Sequence, residues 1–133
     1  MNVVDPFIRT LTSDEPALEW FGLEIEHAHD GSAVVHVTVR DDQVNGNRMT
    51  HGGVVFAVAD QAFAMAANTV LPFAATADAS IQYLAATRAG DRLTATARTS
   101  FRDERRVVVD VDVVAGDCTV AIFRGTGRAT RRP

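Results

Sequence analysis

The chain has no lysine. All 13 of its basic residues are arginines, set against 17 acidic residues for a net charge of −4. That balance excludes a general nucleic-acid binder, which needs a basic surface to neutralise phosphates. The arginine bias itself reflects coding composition rather than a site. There is one cysteine, so no intramolecular disulfide can form, and the apolar surroundings of Cys118 predict a small buried hydrophobe. No proline stands between Pro16 and Pro72, which leaves room for an unbroken helix. The first ten residues lack a basic-then-apolar leader pattern. The longest apolar stretch is interrupted by Asp60, Gln61 and Asn68, a poor bilayer span. The expectation is a soluble, cytoplasmic protein with no membrane or nucleic-acid partner. With 133 residues, 47% of them hydrophobic and 23% charged, the chain reads as one domain over 1–133, large enough to bury roughly two thirds of its surface.

What is present is a small, apolar stretch from Thr50 to Ala77 carrying one carboxylate near its middle, Asp60. Its Ala, Met and Phe content predicts a buried helix over about 52–69. Asp60 lies about two turns inside the start of that helix, too deep to cap it. An ionised carboxylate there is costly to bury unless it is paired or functional. One reading is a structural pair with an arginine or hydroxyl; the other is a carboxylate kept basic by apolar neighbours to move a proton.

Around this helix the pattern changes period. Apolar residues between Phe7 and Phe21 recur at near-helical spacing, predicting short helices over about 5–20, with Ser13 or Asp14 as a cap ahead of Pro16. Leu23 and Ile25 alternate with glutamates, and Val35, Val37 and Val39 with polar residues, so the two runs form a hairpin across Asp30–Gly31. Four more runs follow Pro72. Ala77, Ala79, Ile81 and Tyr83 make one face of the first, and Leu93, Ala95, Ala97, Thr99 and Phe101 one face of the second. Val107 to Val113 forms the third, and Val120, Ile122 and Arg124 belong to the fourth. His27 and His29 have no third ligand in the pattern, so they read as a solvated strand end and no metal is expected. Arg128, Arg131 and Arg132 read as an unstructured basic end. Two strands, one helix apolar nearly all round and four strands give an α+β architecture, an antiparallel sheet wrapped around one long central helix.

Asn45-Gly46-x-x-x-x-His51-Gly52-Gly53, followed by Asp60, Ala62-Phe63 and Ala67-Asn68, resembles the signature of the phenylacetate-degradation (PaaI-type) thioesterases, which are hotdog-fold acyl-CoA thioesterases. Ala77-Asp78-x-x-Ile81-x-Tyr83-Leu84 and Gly90-Asp91-x-Leu93 are similar to the family's next two strands. The likeness spans about residues 20–127. It implies hydrolysis of a short-chain or aromatic, phenylacetyl-like acyl-CoA to free acid and CoA, with coenzyme A as part of the substrate and no other cofactor. The resemblance places Asp60 beside the thioester carbonyl, as general base or as nucleophile. It makes Gly52 the oxyanion donor, a role suited to a free N–H at a helix start. It further implies that His51 orients the loop or polarises the thioester, that Asn45 positions water or carbonyl, and that the Thr76 hydroxyl lies near the attacking water. Plainer readings stand beside these: a histidine cap, an Asn-Gly turn and a tight Gly-Gly loop.

CoA phosphates call for arginines. Arg88 follows the Tyr83–Leu84 strand, and Arg102, Arg105 and Arg106 sit at a hairpin turn that also holds Asp103 and Glu104, where a self-neutralised turn is the competing reading. The resemblance implies a homo-oligomer, a dimer at minimum and a tetramer by preference, with Asp60 of one chain meeting Asn45, His51 and Gly52 of the other. A non-catalytic acyl-CoA-binding module and a hotdog hydratase are the alternative readings.

Overall fold

The computed structural model describes residues 2–130. Helices α1 (Pro6–Thr12) and α2 (Pro16–Phe21) precede strands β1 (Leu23–His29) and β2 (Ser32–Thr38). A 3-10 turn at Asp41–Gln43 leads into the long helix α3 (Gly52–Val70). Strands β3 (Ala75–Tyr83), β4 (Arg92–Arg102), β5 (Arg106–Ala115) and β6 (Cys118–Arg128) complete the chain. The strands form a single antiparallel sheet in the order β1-β2-β4-β5-β6-β3. The sheet wraps around α3, which packs chiefly against β2, β4 and β5, so the central arrangement is the one the alternating pattern implied.

The core follows from that pattern. Val35, Val37, Leu93, Ala95, Val109 and Val113 point at the helix and are fully buried, while Thr38, Thr96 and Arg98 between them face outward. The helix answers with Val54, Val58, Ala62, Phe63 and Met65. By length and hydropathy α3 could cross a bilayer, but 61% of that window is buried inside the molecule, as a core helix requires. The β1–β2 hairpin turns at Asp30 (φ 50°) and Gly31 (φ 80°), the left-handed pair of a two-residue hairpin. Gly31 N–H donates to Thr69 Oγ1 at 2.8 Å and Thr99 Oγ1 donates to Gly31 O at 2.8 Å, which fastens this turn to the end of α3 and to β4.

Several expectations are corrected. Neither Ser13 nor Asp14 caps the helix that begins at Pro16, whereas α1 is capped by Asp5, which accepts the Phe7 N–H at 2.8 Å. Ser13 ends α1 instead, and Glu15 precedes α2 without a side-chain cap. Cys118 is exposed, because β6 begins one residue after the Gly116–Asp117 turn and its first side chain clears the core. In β3 only Ile81 of the expected face is even half-buried, and Ala77, Ala79 and Tyr83 are exposed. The strand is the last in the sheet, beyond the part that covers α3, and a bulge between Thr76 and Asp78 shifts its register. A bulge between Thr99 and Phe101 likewise turns Phe101 outward, 54% exposed. In β6 the buried face is Val120, Ala121, Phe123 and Gly125, and Ile122 lies outside. Arg128 ends β6, paired with Ala75 and Arg106; Arg131 and Arg132 lie outside the described residues.

Gly125 is required by packing. A Cβ there would lie 2.7 Å from the Phe63 ring, and that ring is buried at the centre of the core. Gly125→Ala is expected to destabilise the protein by about 1–3 kcal/mol through overpacking, read as a lower melting temperature. Gly46→Ala, with nothing within 4 Å, serves as the neutral reference, and equal melting temperatures for the two variants would contradict the packing account.

Candidate active site

The site is built on the first turn of α3. A helix leaves its first four N–H groups without intrahelical partners, and here three of them are used. His51 N–H donates to Gln43 O at 2.9 Å, Gly53 N–H to His51 Nδ1 at 2.9 Å and Val54 N–H to His51 O at 2.9 Å, while Val55 N–H on His51 O at 3.4 Å is the first regular bond of the helix. Gly52 N–H has no hydrogen-bond partner among the described residues. The helix start therefore offers one backbone donor, at the end where the helix dipole is positive. Because His51 Nδ1 accepts from a backbone N–H, the neutral ring carries its proton on Nε2. His51 is thus the helix cap and also presents a side-chain donor.

The loop before α3 is braced on both sides. Gln43, 7% exposed, accepts the His51 N–H on its carbonyl at 2.9 Å, accepts Arg40 N–H on Oε1 at 2.9 Å and donates from Nε2 to Phe21 O at 2.9 Å. Thr87 Oγ1 donates to Thr50 Oγ1 at 2.7 Å, with Thr50 N–H on Thr87 O at 2.8 Å. Tyr83 hydroxyl donates to Gly52 O at 3.1 Å, and its ring lies against the Gly52 Cα. Asn45 Oδ1 accepts from Asn47 N–H at 2.8 Å and Met49 N–H at 3.2 Å. The Asn-Gly turn and the site role are therefore compatible: the turn consumes the amide oxygen and leaves Nδ2 as a donor.

Two cavities flank the His51–Gly52 turn. One, about 350 Å³, is bounded by Asn45, Thr50, Gly52, Tyr83, Leu84 and Thr87. The other, about 240 Å³, lies against the His51 ring, Val54 and the end of α2. Asn45 and Gly52 thus share one cavity, and His51 faces the other.

Asp60 borders neither cavity. It sits on a stripe of α3 with Gly53, Phe56, Ala57 and Ala64, the positions the sheet leaves half-covered or open. No hydrogen bond or ion pair reaches its carboxylate among the described residues. Burial pushes the Asp60 carboxyl above the ordinary carboxylate range, and the charge of Glu15, just ahead of α2, pushes it in the same direction. The structural-pair reading of Asp60 therefore finds no partner among the described residues. An unpaired carboxylate made more basic by its surroundings is suited to take a proton. Next to it, Gln61 is buried with Nε2 unpartnered.

The remaining sequence candidates lie apart. Thr76 is exposed at the β3 bulge opposite Gly127. Arg88 follows the rim of the Gly52 cavity, its backbone N–H on Asp91 at 2.9 Å and its guanidinium without an ion pair among the described residues. Arg102, Arg105 and Arg106 lie at the opposite end of β4, about 30 Å along the strand from Arg92, and Arg106 pairs with Asp103 at 3.8 Å. His27 and His29 are spent on Ser32 and Asp30. Glu15 and Gln43 carry no site role in the sequence reading, and Tyr83 enters it only as a strand residue of the family-like motif. Tyr83 is the single tyrosine of the chain, a faint signal; the partners of Gln43 are distant in sequence and gave none.

Comparison with known proteins bears on this arrangement. Residues 47–122 match the family model described as the thioesterase superfamily. The chain is 39% identical over 105 residues to the acyl-coenzyme A thioesterase PaaI of Escherichia coli (strain K12), covering 78% of this chain and 75% of that one. The solved structure of the E. coli PaaI protein from the phenylacetic acid degradation operon superposes with a TM-score of 0.90 at 33% identity, covering 93% of this chain and 91% of that one. A Streptococcus pneumoniae thioesterase structure with coenzyme A matches with a TM-score of 0.77 at 28% identity, over 83% of this chain and 90% of that one. The chain belongs to the thioesterase superfamily and, within it, to the PaaI-type hotdog enzymes that hydrolyse acyl-CoA thioesters.

Proposed function

We propose that hydrolysis takes place at a site shared by two copies of the chain, with Gly52 of one polarising the thioester carbonyl and Asp60 of the other supplying the attacking oxygen. The observation that carries this reading is the spacing on α3. Eight residues separate Gly52 from Asp60, which is about 12 Å along the helix and about 80° around it. A carbonyl accepting the Gly52 N–H is therefore out of reach of the same chain's Asp60. The open outer edge of β3, with Tyr83 53% and Leu84 57% exposed beside it, is the surface on which a second copy can pair strand to strand. The family resemblance favours two such dimers joined as a tetramer, with each chain acting as a single hotdog unit.

In this scheme the Gly52 N–H, aided by the His51 Nε2–H, holds the carbonyl oxygen as charge develops on it. The Asn45 Nδ2–H group orients the thioester or the water. Asp60 takes a proton from water as the hydroxide adds to the carbonyl carbon, and returns it to the CoA sulfur as the C–S bond breaks. Direct attack by Asp60, with water resolving the resulting anhydride, uses the same donors. Thr76 from the second copy is the candidate hydroxyl near the water. Neither route calls for a cofactor beyond the CoA of the substrate. Arg88, unpaired at the cavity rim, is the first candidate for a CoA phosphate; Arg102, Arg105 and Arg106 serve only if another copy brings that hairpin near. The substrate class is a short-chain or aromatic acyl-CoA, and a cytoplasmic site of action agrees with such a substrate and with a lone free cysteine. A half-buried carboxylate with no partner is an expense that ligand binding alone does not require, which favours turnover over a binding module.

Asp60→Asn is expected to lower turnover of acyl-CoA by at least about 100-fold, measured as thiol release. Its melting temperature at neutral pH should equal or exceed that of the parent. A carboxyl whose folded value is raised favours folding below its unfolded value, and that advantage is lost as pH rises through the folded value. Turnover near the parent rate would make Asp60 structural. The same shift places the acid limb of kcat/KM above the ordinary carboxylate range. Glu15→Gln should move that limb to lower pH; an unmoved limb would show that Glu15 does not act on the base.

A further inference from the structure

At the other end of α3 from the Gly52 turn lies a cavity of about 440 Å³, bounded by the Asp30–Gly31 turn, the end of α3 and the last residues of β4. Thr69 stands 17 residues after Gly52, about 25 Å along the helix. In the sheet, β4 is three strands from the open β3 edge, so a second copy paired at that edge does not cover this cavity. Its floor accepts hydrogen bonds and does not donate them. Thr69 Oγ1 donates to Ala66 O at 2.7 Å, Thr99 Oγ1 to Gly31 O at 2.8 Å and Ser100 Oγ to Val108 O at 3.2 Å. Each hydroxyl has spent its one hydrogen and keeps only lone pairs. Asp30 adds an exposed carboxylate, with Oδ2 on His29 Nδ1 at 3.0 Å, and the end of α3 adds the negative pole of the helix.

The mouth has the opposite character. Strand alternation would turn Phe101 to the same side as Ala97 and Thr99. The bulge between Thr99 and Phe101 re-aims it outward instead, and Arg102 follows it at the cavity wall. Asp103 is spent on the hairpin turn, accepting the Arg105 and Arg106 N–H groups at 2.9 and 2.7 Å and pairing with the Arg106 guanidinium at 3.8 Å. The guanidinium groups of Arg102 and Arg105 have no ion pair among the described residues.

We propose that this cavity is a second ligand site, for a nucleoside 5′-phosphate, separate from the turn that carries Gly52. The lining sorts the groups of such a ligand. The base stacks on the exposed Phe101 ring, a contact open to any base because each has a π-face. The Thr99 and Ser100 hydroxyls and the Asp30 carboxylate only accept, so they call for donors, which ribose hydroxyls and an exocyclic amino group supply. The phosphate belongs at the Arg102 guanidinium, with Arg105 on the following turn, where an anion meets planar forks of donors. The reverse orientation sets the phosphate against Asp30 and the negative end of α3 and is disfavoured. An apolar ligand leaves the acceptors without donors, and a bare phosphate leaves Phe101 unused. The volume of about 440 Å³ lies within the range of about 300–1,000 Å³ usual for small-molecule sites.

Equilibrium dialysis of the full chain against AMP tests the assignment. Saturable binding with a Kd of about 1 mM or tighter is expected. Adenosine, which lacks the phosphate, and ribose 5-phosphate, which lacks the base, should each bind at least about tenfold more weakly. Phe101→Ala and Arg102→Ala should each weaken AMP binding by about tenfold. Both side chains are exposed, so the melting temperatures of the two variants should match that of the parent. The absence of saturable AMP binding, or one affinity shared by the parent and both variants, would overturn the site. So would competitive inhibition of thiol release by AMP with an inhibition constant equal to its Kd, which would assign the bound AMP to the place of the substrate's own nucleotide. The roles proposed for Gly52 and Asp60 are untouched by any of these results, because they are tested by thiol release in the Asp60 variant.

Discussion

A helix start has four N–H groups to satisfy, and the residue before it decides how many remain free. In α3, His51 accepts two of them, the Gly53 N–H on its ring Nδ1 and the Val54 N–H on its carbonyl oxygen, and its own N–H donates to Gln43 O. The donor left over belongs to Gly52, where the missing side chain makes room for the Tyr83 ring, 3.4 Å from where a Cβ would lie. Everything else near the turn keeps that one N–H in position. Gln43 holds His51 from behind, Thr50 and Thr87 close the loop, and Tyr83 lies over the Gly52 backbone. The one free donor of this turn is thus supplied by backbone geometry, and the side chains around it act as bracing.

The second unsatisfied group on the same helix has a different origin. Asp60 is left without a partner because it lies on the one stripe of α3 that the sheet does not cover, among Phe56, Ala57 and Ala64. Apolar surroundings raise the proton affinity of the carboxylate at some cost in stability. Conserving helical pitch then prevents the two groups from acting on one carbonyl inside a single chain. On the proposed two-chain reading, the open β3 edge and the uncovered stripe are the two surfaces through which a second copy would complete the chemistry.

Much of this was legible in the sequence. The helix could be read from an unbroken apolar run, Asp60 from being its lone acid, and the Asp30–Gly31 turn from its residue types. The strand faces were less legible. The bulge at Thr99/Phe101 turns Phe101 outward and no residue type announces it, while Ala77, Ala79 and Tyr83 are exposed because β3 is the last strand of the sheet. Cys118 looked buried because its neighbours are apolar, but its place just after a turn decides its exposure. Glu15 and Gln43 looked like ordinary helix-start and loop residues. Their roles come from contacts with groups far along the chain, which local pattern does not encode.

The central claim, that one reacting centre draws on two chains, can be tested by complementation between inactive variants. Asp60→Asn removes the carboxylate. Gly52→Pro removes the free N–H at a position where proline is tolerated in a helix, and His51, at ψ 134°, already has the backbone that a following proline prefers. Unfolded and refolded together in equal amounts, the two variants form mixed pairs in which one of the two sites has both groups intact. The account predicts recovery of up to about one quarter of parental activity. A mixture no more active than either variant alone would place both groups' chemistry within a single chain and contradict it.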